Sequence, residues 1–221
     1  MPSSSRSSGG RIGTSSAGGT GRRSTVREYV EAILWALVLT TFLRTFVIQA
    51  FRIPSESMVK TLLVGDFLFV NKFEYGAKIP FTHVRLPGVR KPQRGDIIVF
   101  QFPQDPSKDF IKRCVAVGGE TLQIRDKVVY VNGRPLDEPY VVHSDTTVRP
   151  AGFDYRDNFG PYLVPKGDLF MMGDNRDNSN DSRYWGPLDM DLVKGRAMFL
   201  YWSWDGPHFS PRWDRLFRVI H

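Results

Sequence analysis

Two apolar stretches of strand length decide the fold class: DIIVFQF at residues 96–102 and FIKRCVAV at residues 110–117. Similar runs follow the same pattern on either side of them: DFLFV (66–70), VVYV (128–131) and AMFLYWSW (197–204). Asn132-Gly133 directly follows VVYV, which is a strong signal for a β-hairpin. Glycine and proline interrupt the chain at short intervals, and no long amphipathic helix stands out. We therefore predict a mainly β, antiparallel fold over residues 51–221.

A different pattern precedes the β-rich part. Residues 32–50 read AILWALVLTTFLRTFVIQA, nineteen residues with Arg44 as the one charge. At about 1.5 Å per residue this length crosses a hydrocarbon core about 30 Å thick. A buried core helix is the alternative that Arg44 and Gln49 favour, and a cleaved signal peptide fits less well because no small-residue cleavage site follows. Since the apolar positions surround the helix, we predict a transmembrane helix over residues 28–50.

The segment before this helix has the composition of a disordered tail. Residues 1–27 contain eight Ser, six Gly and five Arg, with no acidic residue. A transit peptide would share this composition, but the segment shows no amphipathic periodicity. Arg22, Arg23 and Arg27 lie just before the span, and the positive bias after it is weaker. The positive-inside rule then predicts a cytoplasmic N-terminus, with residues 51–221 across the membrane.

The overall charge is therefore mainly a topology signal. Thirty Lys and Arg against 23 Asp and Glu give a net charge of +7. Residues 1–31 hold five Arg and two Glu, or +3, which leaves +4 for the rest of the chain and argues against a nucleic-acid partner. The single cysteine, Cys114, excludes an intramolecular disulfide and a cysteine-based zinc site, and the four histidines are scattered. We predict no metal and no organic cofactor.

The most unusual polar segment is GDNRDNSNDSRYWG at residues 173–186. A calcium loop beginning at Asp177 fails in detail, because its sixth position is Ser182 rather than Gly and its twelfth is Leu188 rather than Glu. A polar turn held by Asx hydrogen bonds remains the plain structural interpretation. Taken alone, the segment does not distinguish a turn from part of a site.

A candidate nucleophile lies just after the predicted span, in IPSESMVKTLLVGD (53–66). Serine needs a base, and without a supporting histidine the base would be a lysine that burial keeps neutral. Lys112 lies within an apolar strand and suits this role, although an edge-strand lysine that faces solvent has the same pattern. Lys60 offers the S-x-x-K spacing of penicillin-recognising enzymes with Ser57, but the SDN-type and KTG elements of those enzymes are missing.

Together these segments resemble bacterial type I signal peptidase, the membrane-bound serine protease that removes signal peptides from exported proteins. The resemblance covers the chain from the span to the C-terminus and rests on five ordered segments: IPSESM, TLLVGD, RGDIIVF (94–100), FIKR (110–113) and GDNRDNSNDSRYWG. It implies an antiparallel β catalytic domain behind one N-terminal transmembrane helix. It also implies a location in the bacterial cytoplasmic (inner) membrane, with the catalytic domain on the periplasmic or outer side.

The resemblance also implies residue roles. Ser57 matches the nucleophile and Lys112 its general base, while the Ser55 hydroxyl and the Ser57 N–H match the oxyanion hole. Three further residues match supporting positions of the family. Ser179 would orient the amine of Lys112, while Asp181 and Arg183 would brace the loop that contains Ser179. This chain departs from the family pattern at Glu56, usually Gly, and at Lys60, usually Pro. We favour Lys112 over Lys60 as the base, because Lys60 lies in a polar turn where it would stay protonated.

The expected partners follow from the same resemblance. Phe51, Ile53 and Ile111 match positions that line the substrate pockets, so the substrates would be secretory preproteins with small residues at −1 and −3. Membrane lipid is the second expected partner. Aromatic residues near the C-terminus suit a surface that rests on lipid, but ordinary core packing explains them equally well: Trp202, Trp204 and Trp213.

Two other functions remain as alternatives. A self-cleaving Ser-Lys peptidase of the SOS-repressor type shares the chemistry, but the span and the lack of a DNA-binding helix pair argue against it. A non-enzymatic, membrane-anchored β domain that binds partners would leave Ser57 and Lys112 without a catalytic role. Loss of preprotein cleavage on substitution of either residue would separate these alternatives.

Overall fold

A computed structural model describes residues 25–79, 82 and 84–221. Residues 1–24 of the predicted disordered tail therefore lie outside the described residues, and so does His83. The chain forms two compact units, with the division between Leu39 and Thr40.

The N-terminal helix is longer at its start and shorter at its end than the sequence predicts. It begins as the α-helix α1 (Thr25–Phe42) and ends with a π-helical turn, Leu43–Val47. Among the described residues it is the one helix long and apolar enough to cross a membrane. The last three residues of the predicted span belong instead to a strand, because Ile48 pairs with Asn71 in a β-ladder that continues to Arg52. This helix fits a membrane-anchored protein.

The rest of the chain is mainly antiparallel β-structure, as predicted. Within the described residues the strands are β1 (Ile48–Arg52), β2 (Asp66–Asn71), β3 (Ile97–Phe102), β4 (Asp105–Val117), β5 (Thr121–Arg125), β6 (Val128–Val131), β7 (Arg134–Pro135), β8 (Phe159–Leu163), β9 (Asp168–Met172), β10 (Leu188–Asp189), β11 (Val193–Asp205) and β12 (Ser210–Pro211). One short helix, α2 (Ser182–Trp185), lies between β9 and β10.

The large sheet contains the two apolar stretches DIIVFQF (96–102) and FIKRCVAV (110–117). Its strand order is β1-β2-β11-β3-β4-β9-β10, and β12 pairs with β11. β3 and β4 are antiparallel neighbours near the centre, with Ile98 opposite Lys112. Since β4 has β9 on its other side, Lys112 lies in a central strand. This position excludes the edge-strand alternative.

The small sheet has the order β7-β6-β5-β8. The predicted hairpin at Asn132-Gly133 joins β6 to β7, and both turn residues have positive φ angles of 52° and 76°. A second two-residue turn of the same kind, Asp126-Lys127, joins β5 to β6, although it lacks the Asn-Gly signal. Buried side chains of this sheet pack with those of β4 and β9 in one core, which includes Leu122, Val131 and Phe170.

The C-terminal aromatic run divides between core and surface. Leu200 and Ser203 of β11 are fully buried. By contrast, Trp213 is 69% exposed and Phe209 82% exposed, and Trp213 contacts the half-buried Trp202 edge-on at 6.1 Å. Core packing thus explains part of the run, and a lipid-facing role stays a prediction for the exposed side chains.

Candidate active site

Ser57 and Lys112 meet although 55 residues separate them in the sequence. Lys112 Nζ lies 2.6 Å from Ser57 Oγ, and both residues are buried, at 4% and 8% exposure. Ser57 lies in the turn between β1 and β2. The next residue, Met58, and Leu62 are fully buried, so they fix this turn against the core. The predicted nucleophile and base are therefore in direct contact.

Burial gives Lys112 the electrostatics of a base. It lowers the pKa of the lysine to about 8, because the surroundings disfavour a charged amine. The carboxylates of Asp181 and Asp174 oppose this effect, while Arg183 adds to it. The amine also lies 5.4 Å from the ring centre of Phe110, two residues earlier on the same strand. A substantial neutral fraction at mildly alkaline pH follows from this environment.

Lys60, the rival base, lies in a different environment. It is exposed, has a positive φ of 76°, and lines a separate cavity together with Arg113 and Tyr140. Within the described part of the chain its amine makes no hydrogen bond to Ser57. The geometry thus favours Lys112 over the S-x-x-K arrangement.

Ser57 opens onto a cleft of about 320 Å³. Its lining includes Ser55, Ile111 and Lys112. The other two residues predicted to line a substrate pocket do not border this cleft: Ile53 is 2% exposed in the core, and Phe51 packs on the same core. Because Ile111 belongs to that core as well, the three residues form one apolar cluster that reaches the cleft through Ile111.

The polar loop after β9 is held by a buried ion pair. Arg183 Nη2 lies 2.8 Å from Asp181 Oδ2, and both side chains are almost fully buried. Asp181 also accepts a hydrogen bond from the Gly173 N–H at 3.0 Å, while Arg183 donates to the carbonyl oxygens of Arg156 and Arg176. Burial raises the pKa of Asp181, but the charge and hydrogen bond of Arg183 and the hydrogen bond from the Gly173 N–H outweigh it and hold this pKa below its usual value. The predicted bracing pair is present.

Ser179 does not make the hydrogen bond predicted for it. Its buried Oγ makes no hydrogen bond to the amine of Lys112, which is directed to Ser57; the Ser179 hydroxyl instead helps to hold down the pKa of Asp181. Ser179 packs instead against Gly173, where an added Cβ would lie 2.3 Å from Ser179 Oγ and 2.5 Å from the Ser57 carbonyl oxygen. Only glycine fits at position 173, so the loop approaches the nucleophile closely.

Sequence reasoning missed three residues that position the pair. Arg113 donates two hydrogen bonds of 2.8 Å to the fully buried carboxylate of Asp174. The next residue, Asn175, donates its backbone N–H to the Ser57 carbonyl at 3.0 Å and its side-chain amide to the Glu56 carbonyl at 3.3 Å. The available signal was Arg113 itself, since an arginine in an apolar strand requires a buried partner.

The calcium-loop alternative finds no support in the contacts. Asp177 accepts hydrogen bonds from Lys127 Nζ at 2.7 Å and from the Asp145 N–H at 2.8 Å. Across residues 25–79, 82 and 84–221 no group of three or more His, Cys, Asp or Glu could hold a metal ion. The acidic residues of the loop serve instead as partners for buried cations.

Comparisons with known proteins identify the family of the chain. Residues 26–202 match a family model described as "Signal peptidase, peptidase S26". The signal peptidase I of Pseudomonas aeruginosa is 36% identical over 88% of this chain and 79% of its own length. That of Aquifex aeolicus is 31% identical over 84% and 88%. A crystal structure of a signal peptidase I from Enterococcus faecalis V583 has 35% identity over 49% of this chain and 98% of its own, with a TM-score of 0.41.

Proposed function

The chain belongs to the signal peptidase family, peptidase S26, and is a serine peptidase; on this premise we propose that it cleaves N-terminal signal peptides from exported preproteins with a Ser57–Lys112 pair. One observation carries the proposal: the 2.6 Å contact between Ser57 Oγ and the buried amine of Lys112. No second candidate function has a comparable observation in its favour.

The chemistry follows from the protonation state of Lys112. The neutral amine takes the Ser57 hydroxyl proton as Oγ attacks the carbonyl carbon of the scissile bond. When the tetrahedral intermediate collapses, the C–N bond breaks and Lys112 gives the proton to the leaving amine. Water, deprotonated by the same amine, then hydrolyses the acyl-enzyme. A lysine with a pKa of about 8 suits both directions of proton transfer.

The developing oxyanion needs hydrogen-bond donors, and two are at hand. The Ser57 backbone N–H makes no hydrogen bond within the described residues, and the exposed Ser55 hydroxyl lines the same cleft. Each well-placed donor of this kind contributes about 3–4 kcal/mol to transition-state stabilisation. Asp181 and Arg183 act as positioning residues that hold the loop behind the pair.

Substrate and location complete the proposal. The cleft is small, and Ile111 and its neighbours in the apolar core suit small side chains at −1 and −3 of a signal peptide. The apolar N-terminal helix would hold the enzyme in the bacterial cytoplasmic membrane as a single span. Arginines before the helix favour a cytoplasmic N-terminus, and the catalytic domain would then act on preproteins at the outer face.

Purified full-length protein in detergent, incubated with a preprotein carrying an Ala-x-Ala site, tests this function. We expect cleavage after the second alanine. Ser57→Ala and Lys112→Ala should each abolish this cleavage. Lys60→Ala is the matched control, because it removes a nearby lysine that does not contact Ser57. Loss of activity in Lys60→Ala with activity retained in Lys112→Ala would overturn the assignment of the base.

A further inference from the structure

The residue between the two serines of the cleft has no role in the chemistry described above. Glu56 is exposed and lines the cleft together with Ser55 and Ser57. Its backbone carbonyl is held in place by the Val59 N–H at 3.1 Å and by the Asn175 side chain at 3.3 Å. These bonds fix the backbone of Glu56 at the rim of the cleft and leave its carboxylate free to contact a substrate.

The other acidic side chain on the cleft wall is already paired. Asp109 accepts a hydrogen bond from Lys194 at 2.7 Å, and Lys112 is buried against Ser57. The Glu56 carboxylate, by contrast, has no hydrogen bond or ion pair within the described part of the chain.

Glu56 also borders a second cleft, whose lining includes two arginines. Arg212 lies 3.4 Å from Asp205, and the guanidinium of Arg52 lies over the Phe67 ring, 5.7 Å from its centre. Neither arginine is within salt-bridge distance of Glu56. The rim of the cleft that holds Ser57 therefore carries an unpaired negative charge.

That charge acts on the substrate rather than on the base. The charged side chains that shift the pKa of Lys112 are Asp181, Asp174 and Arg183, and Glu56 is not among them. A carboxylate at the cleft rim still attracts a cationic substrate side chain and repels an anionic one.

We propose that Glu56 is a specificity-determining residue that favours substrates with a basic side chain, and disfavours those with an acidic side chain, next to the scissile bond. This inference rests on the proposed function and names a substrate preference of the same site. Exposed pairs of opposite charge are weak, so the expected preference for Lys over Glu at the responsive position is roughly two- to tenfold in kcat/KM.

The test uses full-length protein and peptides that contain one Ala-x-Ala site. Pairs of peptides differ only in Lys or Glu, placed in turn at −2, +1 and +2, and kcat/KM gives a Lys-to-Glu ratio for each position. We expect a ratio above one at one or more positions that falls toward one in Glu56→Gln and in high salt. The pH profile of Glu56→Gln should match that of the wild type, because Glu56 is not among the charges that shift the pKa of Lys112.

Asp214→Asn is the matched control. Asp214 is exposed and does not line the cleft, so its variant has the same change in net charge and should keep the wild-type ratio. Equal ratios in the wild type and Glu56→Gln at every position would overturn the proposal, and so would an equal change in Asp214→Asn. Failure of the wild type to cleave any of the peptides would instead overturn the proposed function.

Discussion

At the scale of single residues, the protonation of Lys112 should set the pH dependence of activity. The pKa of about 8 results from burial, and only the neutral amine can accept the Ser57 proton. We expect kcat/KM to fall as the pH drops below about 8, tenfold for each pH unit well below the pKa. A pH series with a neutral peptide measures this limb, and an acid limb near the pKa of an ordinary carboxyl group would contradict the role of Lys112.

The burial of its amine also means that Lys112 should lower the free energy of unfolding. At pH 7 the amine is protonated in both folded and unfolded chains, but in the folded chain its charge is buried. Each pKa unit corresponds to about 1.4 kcal/mol, so Lys112→Met should raise the free energy of unfolding by roughly 2–3 kcal/mol after loss of the hydrogen bond to Ser57. Urea unfolding of the full-length protein in detergent, followed by tryptophan fluorescence, measures the change.

The sign of this effect also fixes its pH dependence. Because its pKa is lowered in the folded chain, Lys112 destabilises the wild type, and this penalty is complete below pH about 8. The penalty disappears as the pH rises toward 10.5, where the amine of the unfolded chain also loses its proton. The advantage of Lys112→Met should shrink over that range. Lys60→Met is the control and should leave stability unchanged, since Lys60 is exposed. A loss of stability in Lys112→Met would show that burial of the amine is not the dominant effect.

Individual residues also show which parts of the site the sequence could predict. A nucleophile without histidine requires a buried lysine, and the apolar strand around Lys112 offers one, but the choice of Ser57 and Lys112 as the pair rested on the resemblance to the family. The partner of Arg113 could not be chosen from the sequence, since the loop offers several acidic residues and only the folded chain shows that Asp174 accepts its hydrogen bonds. Ser179 shows the converse case, in which the expected residue is close to the site but makes a different contact.

At the scale of elements, the Arg113–Asp174 pair joins β4 to the loop after β9. Removing one member leaves the other charge buried without a partner, which typically costs about 3–5 kcal/mol. We expect Asp174→Ala to destabilise the fold by this amount and to lower kcat, because the neighbouring Asn175 holds the Ser57 turn. Denaturant midpoints and peptide cleavage measure the two effects.

A double variant separates pairing from packing at this junction. Arg113→Met combined with Asp174→Leu replaces both charges with apolar groups, so it should recover much of the stability lost in Asp174→Ala. The exposed pair between Lys108 and Asp105 is the comparison, and Asp105→Ala should have almost no effect. Equal losses in Asp174→Ala and Asp105→Ala would show that the buried pair does not stabilise the loop.

The elements themselves were predictable to different degrees. The apolar runs that became β2, β3, β4, β6 and β11 carry enough periodicity to be recognised, and the Asn-Gly turn fixed one hairpin. β1 was hidden because its first three residues continue the predicted transmembrane span, and only pairing with β2 separates them from the helix. β5, β8 and β9 were not recognised from the sequence, and their pairing with neighbouring strands in the two sheets defines them.

At the scale of the whole molecule, the division between Leu39 and Thr40 predicts that membrane attachment and catalysis can be separated. The described contacts that hold Ser57 and Lys112 all lie after residue 40, between the β1–β2 turn, β4 and the loop after β9. A chain of residues 40–221 should therefore fold and cleave a soluble Ala-x-Ala peptide with a kcat/KM close to that of the full-length protein. It should float with lipid vesicles far less than the full-length protein, since it lacks most of the apolar helix.

The exposed aromatic side chains near the C-terminus determine how much vesicle binding the shortened chain keeps. If Trp213 and Phe209 rest on lipid, the shortened chain should keep weak vesicle binding that Trp213→Ala reduces without changing peptide cleavage. If they do not, the shortened chain and its Trp213→Ala variant should both remain in the unbound fraction. A shortened chain that folds but fails to cleave the peptide would show that the helix contributes to the active site, which would contradict the separation of attachment from catalysis.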